Sequence, residues 1–191
     1  MILETALATN NLFVRKAVAA SLRLIPEAFK IHYETLLQDD SYETKEIALI
    51  NLCQSFPENV EYYLEQTKGI EGNNDKSLKL TWLKLKLVNG QNSENEQKQL
   101  LEELLKYAST DYESSIRQNA LEILLDVNYV NPKVIEALFL ATNHHKWQFT
   151  KFAREKIRTL LKQPDFRNQV EIFVRTVDEK TAALYMKFLK E

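Results

Sequence analysis

The feature that most constrains the fold is an internal repeat. Five helical words share one pattern: Val14-Arg15-x-x-Val18-x-x-x-Leu22, Thr44-Lys45-x-x-Ala48-x-x-x-Leu52, Leu78-Lys79-x-x-Trp82, Ile116-Arg117-x-x-Ala120-x-x-x-Leu124, and a weaker fifth in Thr150-Lys151 running into Ala153 and Ile157. Their basic residues, at 15, 45, 79, 117 and 151, are 30, 34, 38 and 34 residues apart. A second apolar stretch follows each word, at residues 26–37, 60–64, 96–105, 132–139 and 166–177. Apolar positions in these stretches recur every three or four residues, the helical period. A unit of two short helices cannot bury both apolar faces alone, and stacking on its neighbours supplies the missing cover.

The interruptions fall where such units need them. Pro26 and Pro57 follow the first helices of the first two units, and Pro132 sits where it can open a helix. Asp39-Asp40-Ser41, Asn73-Asn74-Asp75, Ser109-Thr110-Asp111 and Pro164-Asp165 are turn and cap material, and Ser93-x-x-Glu96 has the form of a capping box. Only three glycines and four prolines occur in 191 residues, so long helices meet few breakers. β-prone words such as Phe173-Val174 do not recur as alternating runs. A tetratricopeptide stack has a similar period, but Trp82, Gly90 and Tyr107 do not repeat at it. The expected fold is therefore all-α: an α-α superhelix of antiparallel helix pairs, HEAT- or armadillo-like. It should run as one domain over residues 1–191, with about five pairs and a capping helix near residues 178–190. Arg15, Lys45, Lys79, Arg117 and Lys151 are read as structural pegs, each reaching an acidic or carbonyl group in a neighbouring turn. Ala48 and Ala120 occupy matched positions where helices should approach closely.

Composition and motifs exclude several kinds of chemistry. The chain carries 25 basic and 27 acidic residues for a net charge of -2, with 45 % hydrophobic residues, as expected of a folded protein without a polyanionic partner. Basic residues are interleaved with acids, as in Arg154-Glu155-Lys156, and Tyr62, Tyr63, Trp82 and Trp147 are read as core aromatics rather than base-stacking platforms. No apolar run approaches 18 residues, and Met1-Ile2-Leu3-Glu4 lacks the pattern of a signal peptide. A soluble chain is expected, its compartment left open. Cys53 is the single cysteine; beside an apolar stripe it is read as buried and inert. His32, His144 and His145 form no His-Glu-x-x-His word, and the adjacent pair has no third ligand at a suitable spacing. Neither a Gly-x-Ser-x-Gly elbow nor a glycine-rich phosphate loop occurs. No catalytic, cofactor-binding or metal-binding residue is assigned.

One family resemblance accompanies this pattern. Residues 36–49 (LLQDDSYETKEIAL), Phe56-Pro57-Glu58-Asn59, Trp82-Leu83, residues 112–121 (YESSIRQNAL) and residues 141–147 (ATNHHKW) with Phe149 succeed one another over roughly residues 10–165. In this order they resemble the C-terminal helical-repeat domain of aminopeptidase N-like zinc aminopeptidases, especially bacterial members. The resemblance implies an accessory role: such a domain packs on the catalytic portion and helps enclose the substrate channel. Zinc and the catalytic glutamate are expected only in a catalytic domain absent from this chain, and no residue here corresponds to them. The expected partner is that catalytic domain. A free-standing HEAT-type scaffold for another protein is the alternative, and neither reading calls for nucleic acid or membrane insertion.

Overall fold

The computed structural model describes residues 2–190. Among them are twelve α-helices and no strand: α1 (Ile2–Leu7), α2 (Leu12–Ser21), α3 (Lys30–Leu36), α4 (Tyr42–Ser55), α5 (Val60–Thr67), α6 (Ser77–Asn89), α7 (Glu94–Tyr107), α8 (Ser114–Asp126), α9 (Pro132–Ala141), α10 (Trp147–Leu160), α11 (Pro164–Val174) and α12 (Glu179–Lys190). Short 3-10 turns at Glu27–Phe29 and Pro57–Asn59 lead into α3 and α5. Helices α2 to α11 fall, in chain order, on the five sequence words and the apolar stretches that follow them, and α12 comes after. The additional helix α1 was not anticipated, because six residues are under two turns and too short to display a helical period.

The chain divides into two compact units, Met1–Leu100 and Leu101–Glu191. In the first, α4 lies against both α2 and α6, while α3 and α5 pack against α4 and α1 rests on α2 and α3. Ala19, Tyr33, Leu36, Ala48, Leu49, Leu52, Tyr63, Leu64 and Leu78 join one buried cluster. Side chains also close the exposed carbonyl ends of preceding helices, which have no intrahelical donor. Tyr33 donates its hydroxyl to the Ala19 carbonyl at 3.0 Å, and Asn51 donates to the Ala19 and Leu22 carbonyls at 3.1 and 2.9 Å. Trp82 does the same for α5, donating Nε1–H to the Leu64 carbonyl at 2.8 Å.

In the second unit, α8 lies against α9 and α10, α9 also meets α10 and α11, and α12 rests on α11. Ala120, Leu121, Leu138, Phe139, Phe149, Ala153, Ile157 and Val170 are buried. The last helix packs on α11. Its Tyr185 stacks on Phe139 of α9 at 4.1 Å between centroids and lies 6.1 Å from Phe173 of α11. In the first unit the capping box is formed: the Ser93 amide donates to Glu96 Oε2 at 2.9 Å, and the Glu96 amide donates to Ser93 Oγ at 3.3 Å.

The N-caps define the true repeat register. Counting from Asn11, Ser41, Lys76, Glu113 and Lys146, the fourth residue is Arg15, Lys45, Leu80, Arg117 or Thr150. The seventh is Val18, Ala48, Leu83, Ala120 or Ala153, and the last four of these are completely buried. Lys79 and Lys151 therefore stand one residue out of register. A period read from charge alone slipped there, because the burial of the seventh position, not the charge of the fourth, is what repeats.

Candidate functional site

Of the five expected pegs, Arg15 behaves as predicted. Its Nε and Nη2 donate to both carboxylate oxygens of Asp39, at 2.5 and 3.2 Å, and its Nη1 donates to the Thr9 carbonyl. Asp39 lies in the turn between α3 and α4 and also accepts the Ser41 amide at 2.8 Å. Burial works to raise the Asp39 carboxyl, but the Arg15 hydrogen bond, the Ser41 amide and the charges of Arg15 and Lys45 outweigh it and hold the group below its ordinary value. Lys45 and Lys79 instead rest over the rings of Tyr42 and Trp82. Lys151 is exposed and 3.9 Å from Glu155 on its own helix. Thr150, the residue in register, donates its hydroxyl to the Ala141 and His144 carbonyls at 3.2 and 2.7 Å.

Arg117 departs from the peg role. It is 5 % exposed, yet among the described residues its Nε has no hydrogen-bond partner and the guanidinium makes no ion pair. Its Cζ sits 5.0 Å from the centroid of Phe149 in α10. The following turn explains the missing carboxylate. His144 stands two residues before the N-cap Lys146, as Asp39 stands before Ser41, and it accepts the Lys146 amide on Nδ1 at 3.1 Å. An imidazole thus replaces the carboxylate. Burial pushes the His144 pKa down, and the positive charges of His145, Arg117 and Lys146 push it further. A neutral ring satisfies the turn but leaves the arginine charge unbalanced.

Arg117 lines a hollow of about 260 Å³ with Ser109, Thr110, Lys133, Glu136, Leu105 and Leu140. A second hollow, of about 390 Å³, holds His144, His145, Trp147, Lys151, Arg154, Glu155 and Arg158. The two imidazoles lie 4.2 Å apart between centroids and share this hollow with three cations and the Glu155 carboxylate. Among the described residues no group of three or more His, Cys, Asp or Glu side chains could hold a metal. A third feature is a shallow groove of about 570 Å³ lined by Ile2, Thr5, Ala6, Thr9 and Val14 on α1, α2 and the link between them. Phe13 of α2 is 84 % exposed and Ile2 is 88 % exposed.

The other candidate residues separate clearly. Cys53 is buried, and desolvation raises its thiol pKa to about 12, far from a reactive thiolate. His32 is half-buried, with its ring 6.4 Å from Phe29. Tyr63 and Trp82 are packed as expected, whereas Tyr62 and Trp147 are exposed at 52 and 66 %. Trp147 opens α10, where the first turn leaves its ring beyond the packed face, so the core reading fails for it. No helix among the described residues is long and apolar enough to cross a membrane.

Stacked pairs on a shared register define an all-α helical-repeat protein. No family model, no curated protein and no solved structure matches the chain.

Proposed function

We propose that the chain is a helical-repeat interaction domain that docks on another protein through the apolar end face of α1 and α2. The observation carrying this reading is the cluster of uncovered apolar side chains there. Ile2, Leu12, Phe13 and Val14 are exposed at 88, 42, 84 and 39 %. Large apolar side chains left in water are a standing driving force for association, worth about 1.5 to 3 kcal/mol for each one fully buried. At α12 the apolar residues are divided: Tyr185 is buried against Phe139 and Phe173, while Leu184 and Met186 are 38 and 40 % exposed.

The finer reading is an accessory domain of a zinc aminopeptidase, with the catalytic portion of that enzyme as the occupant of the face. It is supported by the ordered sequence words that resemble such domains and by the absence from the sequence of a zinc-binding word. In this role the chain would contribute shape and contact area, not a reacting group. The test begins with the genomic reading frame. A thermolysin-like domain with His-Glu-x-x-His encoded upstream supports the finer reading, and its absence overturns it. Where that domain is encoded, it and the present chain are prepared separately and their affinity is measured by calorimetry. Phe13→Asp should weaken binding about tenfold or more while leaving the helical circular dichroism and melting temperature of the chain unchanged. Unaltered affinity would remove the α1–α2 face from the interface.

A further inference from the structure

Arg117 is a buried cation without an anion, and its hollow has room for one. We infer that the hollow bounded by α7, α8 and α9 is a binding site for a small monocarboxylate with a short apolar tail. This inference is independent of the docking role proposed for α1 and α2.

Three observations support it. First, the guanidinium is charged at any ordinary pH, and burying a charge without a counter-ion is costly. The stacked Phe149 ring offsets part of that cost on one side, but Nε remains without an acceptor. Second, the position that carries the matching carboxylate in the α2 unit, Asp39, is occupied here by His144. The fold thus retains the arginine and omits its internal anion. Third, the hollow is shaped for more than an ion. Its volume of about 260 Å³ is lined by the apolar Leu105, Ala137 and Leu140 and by the polar Ser109 and Thr110.

The charges lining the hollow narrow the ligand class. Lys133 and Glu136 both line it and oppose each other in sign. A phosphate dianion would meet a single buried cation and the repulsion of Glu136. A carboxylate needs only one guanidinium, whose planar fork matches its two oxygens. The apolar residues then cover a branched chain of a few carbons.

The experiment uses the full chain and 3-methylbutanoate as the probe, followed by calorimetry and thermal shift. Saturable one-to-one binding in the millimolar range is expected, with the isosteric 3-methylbutanamide about tenfold weaker or worse and inorganic phosphate showing no saturation. Arg117→Met fills the same volume without a charge and should abolish binding while staying folded. Arg117→Lys keeps the charge but loses the fork, and should weaken binding several-fold if the guanidinium geometry matters. Glu136→Gln removes that repulsion and should tighten binding. The proposal is overturned by a lack of saturation with 3-methylbutanoate, by equal binding of the amide or of phosphate, or by binding that survives Arg117→Met. It is also overturned if Glu136→Gln lowers the melting temperature and leaves affinity unchanged, since Glu136 would then be the internal partner of Arg117.

Discussion

Arg15 and Arg117 occupy the same register position and meet opposite fates, and the difference lies in one residue of the next turn. Asp39 gives Arg15 a bidentate partner, while His144 gives Arg117 none. The side chain of Asp39 is 2 % exposed, so its hydrogen bonds are shielded from water. Asp39→Asn should cost about 2 kcal/mol near neutral pH, the scale of a charge-assisted hydrogen bond. Its carboxyl is held below the ordinary value of 3.8, so the folded chain releases this proton more readily than the unfolded one. The stabilisation is therefore complete above the unfolded value and disappears as pH falls through the folded one. Urea midpoints of the two proteins should differ at neutral pH and converge as the pH is taken below about 4. A gap of constant size across that range would show that the carboxylate charge contributes nothing.

At the scale of the helix, the repeating quantity is close approach. Ala48, Leu83, Ala120 and Ala153 share the seventh position after the N-cap, and all are fully buried. Ala120→Leu adds three carbons where α8 has no space and should destabilise by about 1 to 3 kcal/mol. An unchanged denaturation midpoint would contradict this register. Most helices were legible in the sequence because their apolar faces recur at three and four residues and their ends carry strong caps, as at Ser93 and Glu96. The small buried residues Ala48 and Ala120 were legible for the same reason. Three things were not. Helix α1 has too few residues to show a period. Lys79 and Lys151 imitated the repeat because a surface charge next to the true position costs nothing in packing. The isolation of Arg117 could not be read from its own word, since it depends on His144, 27 residues later. The two words together carried a signal: an acid precedes Ser41 by two residues, and a histidine takes the same place before Lys146.

For the molecule as a whole, the sequence words and the helices agree on an all-α, repeat-like construction, with large apolar side chains left exposed on α1 and α2. Three of the side chains that the sequence singles out for chemistry make packing or turn contacts. Cys53 is desolvated, His32 lies near Phe29, and His144 holds a turn amide. The central claim is that the chain acts by binding and shape rather than by turnover. The most direct test is hydrolysis of aminoacyl p-nitroanilides by the purified chain, with and without added zinc. The account predicts no release above the buffer rate in either condition, including at high protein concentration. Zinc-dependent release that scales with the concentration of this chain and survives repurification would contradict it.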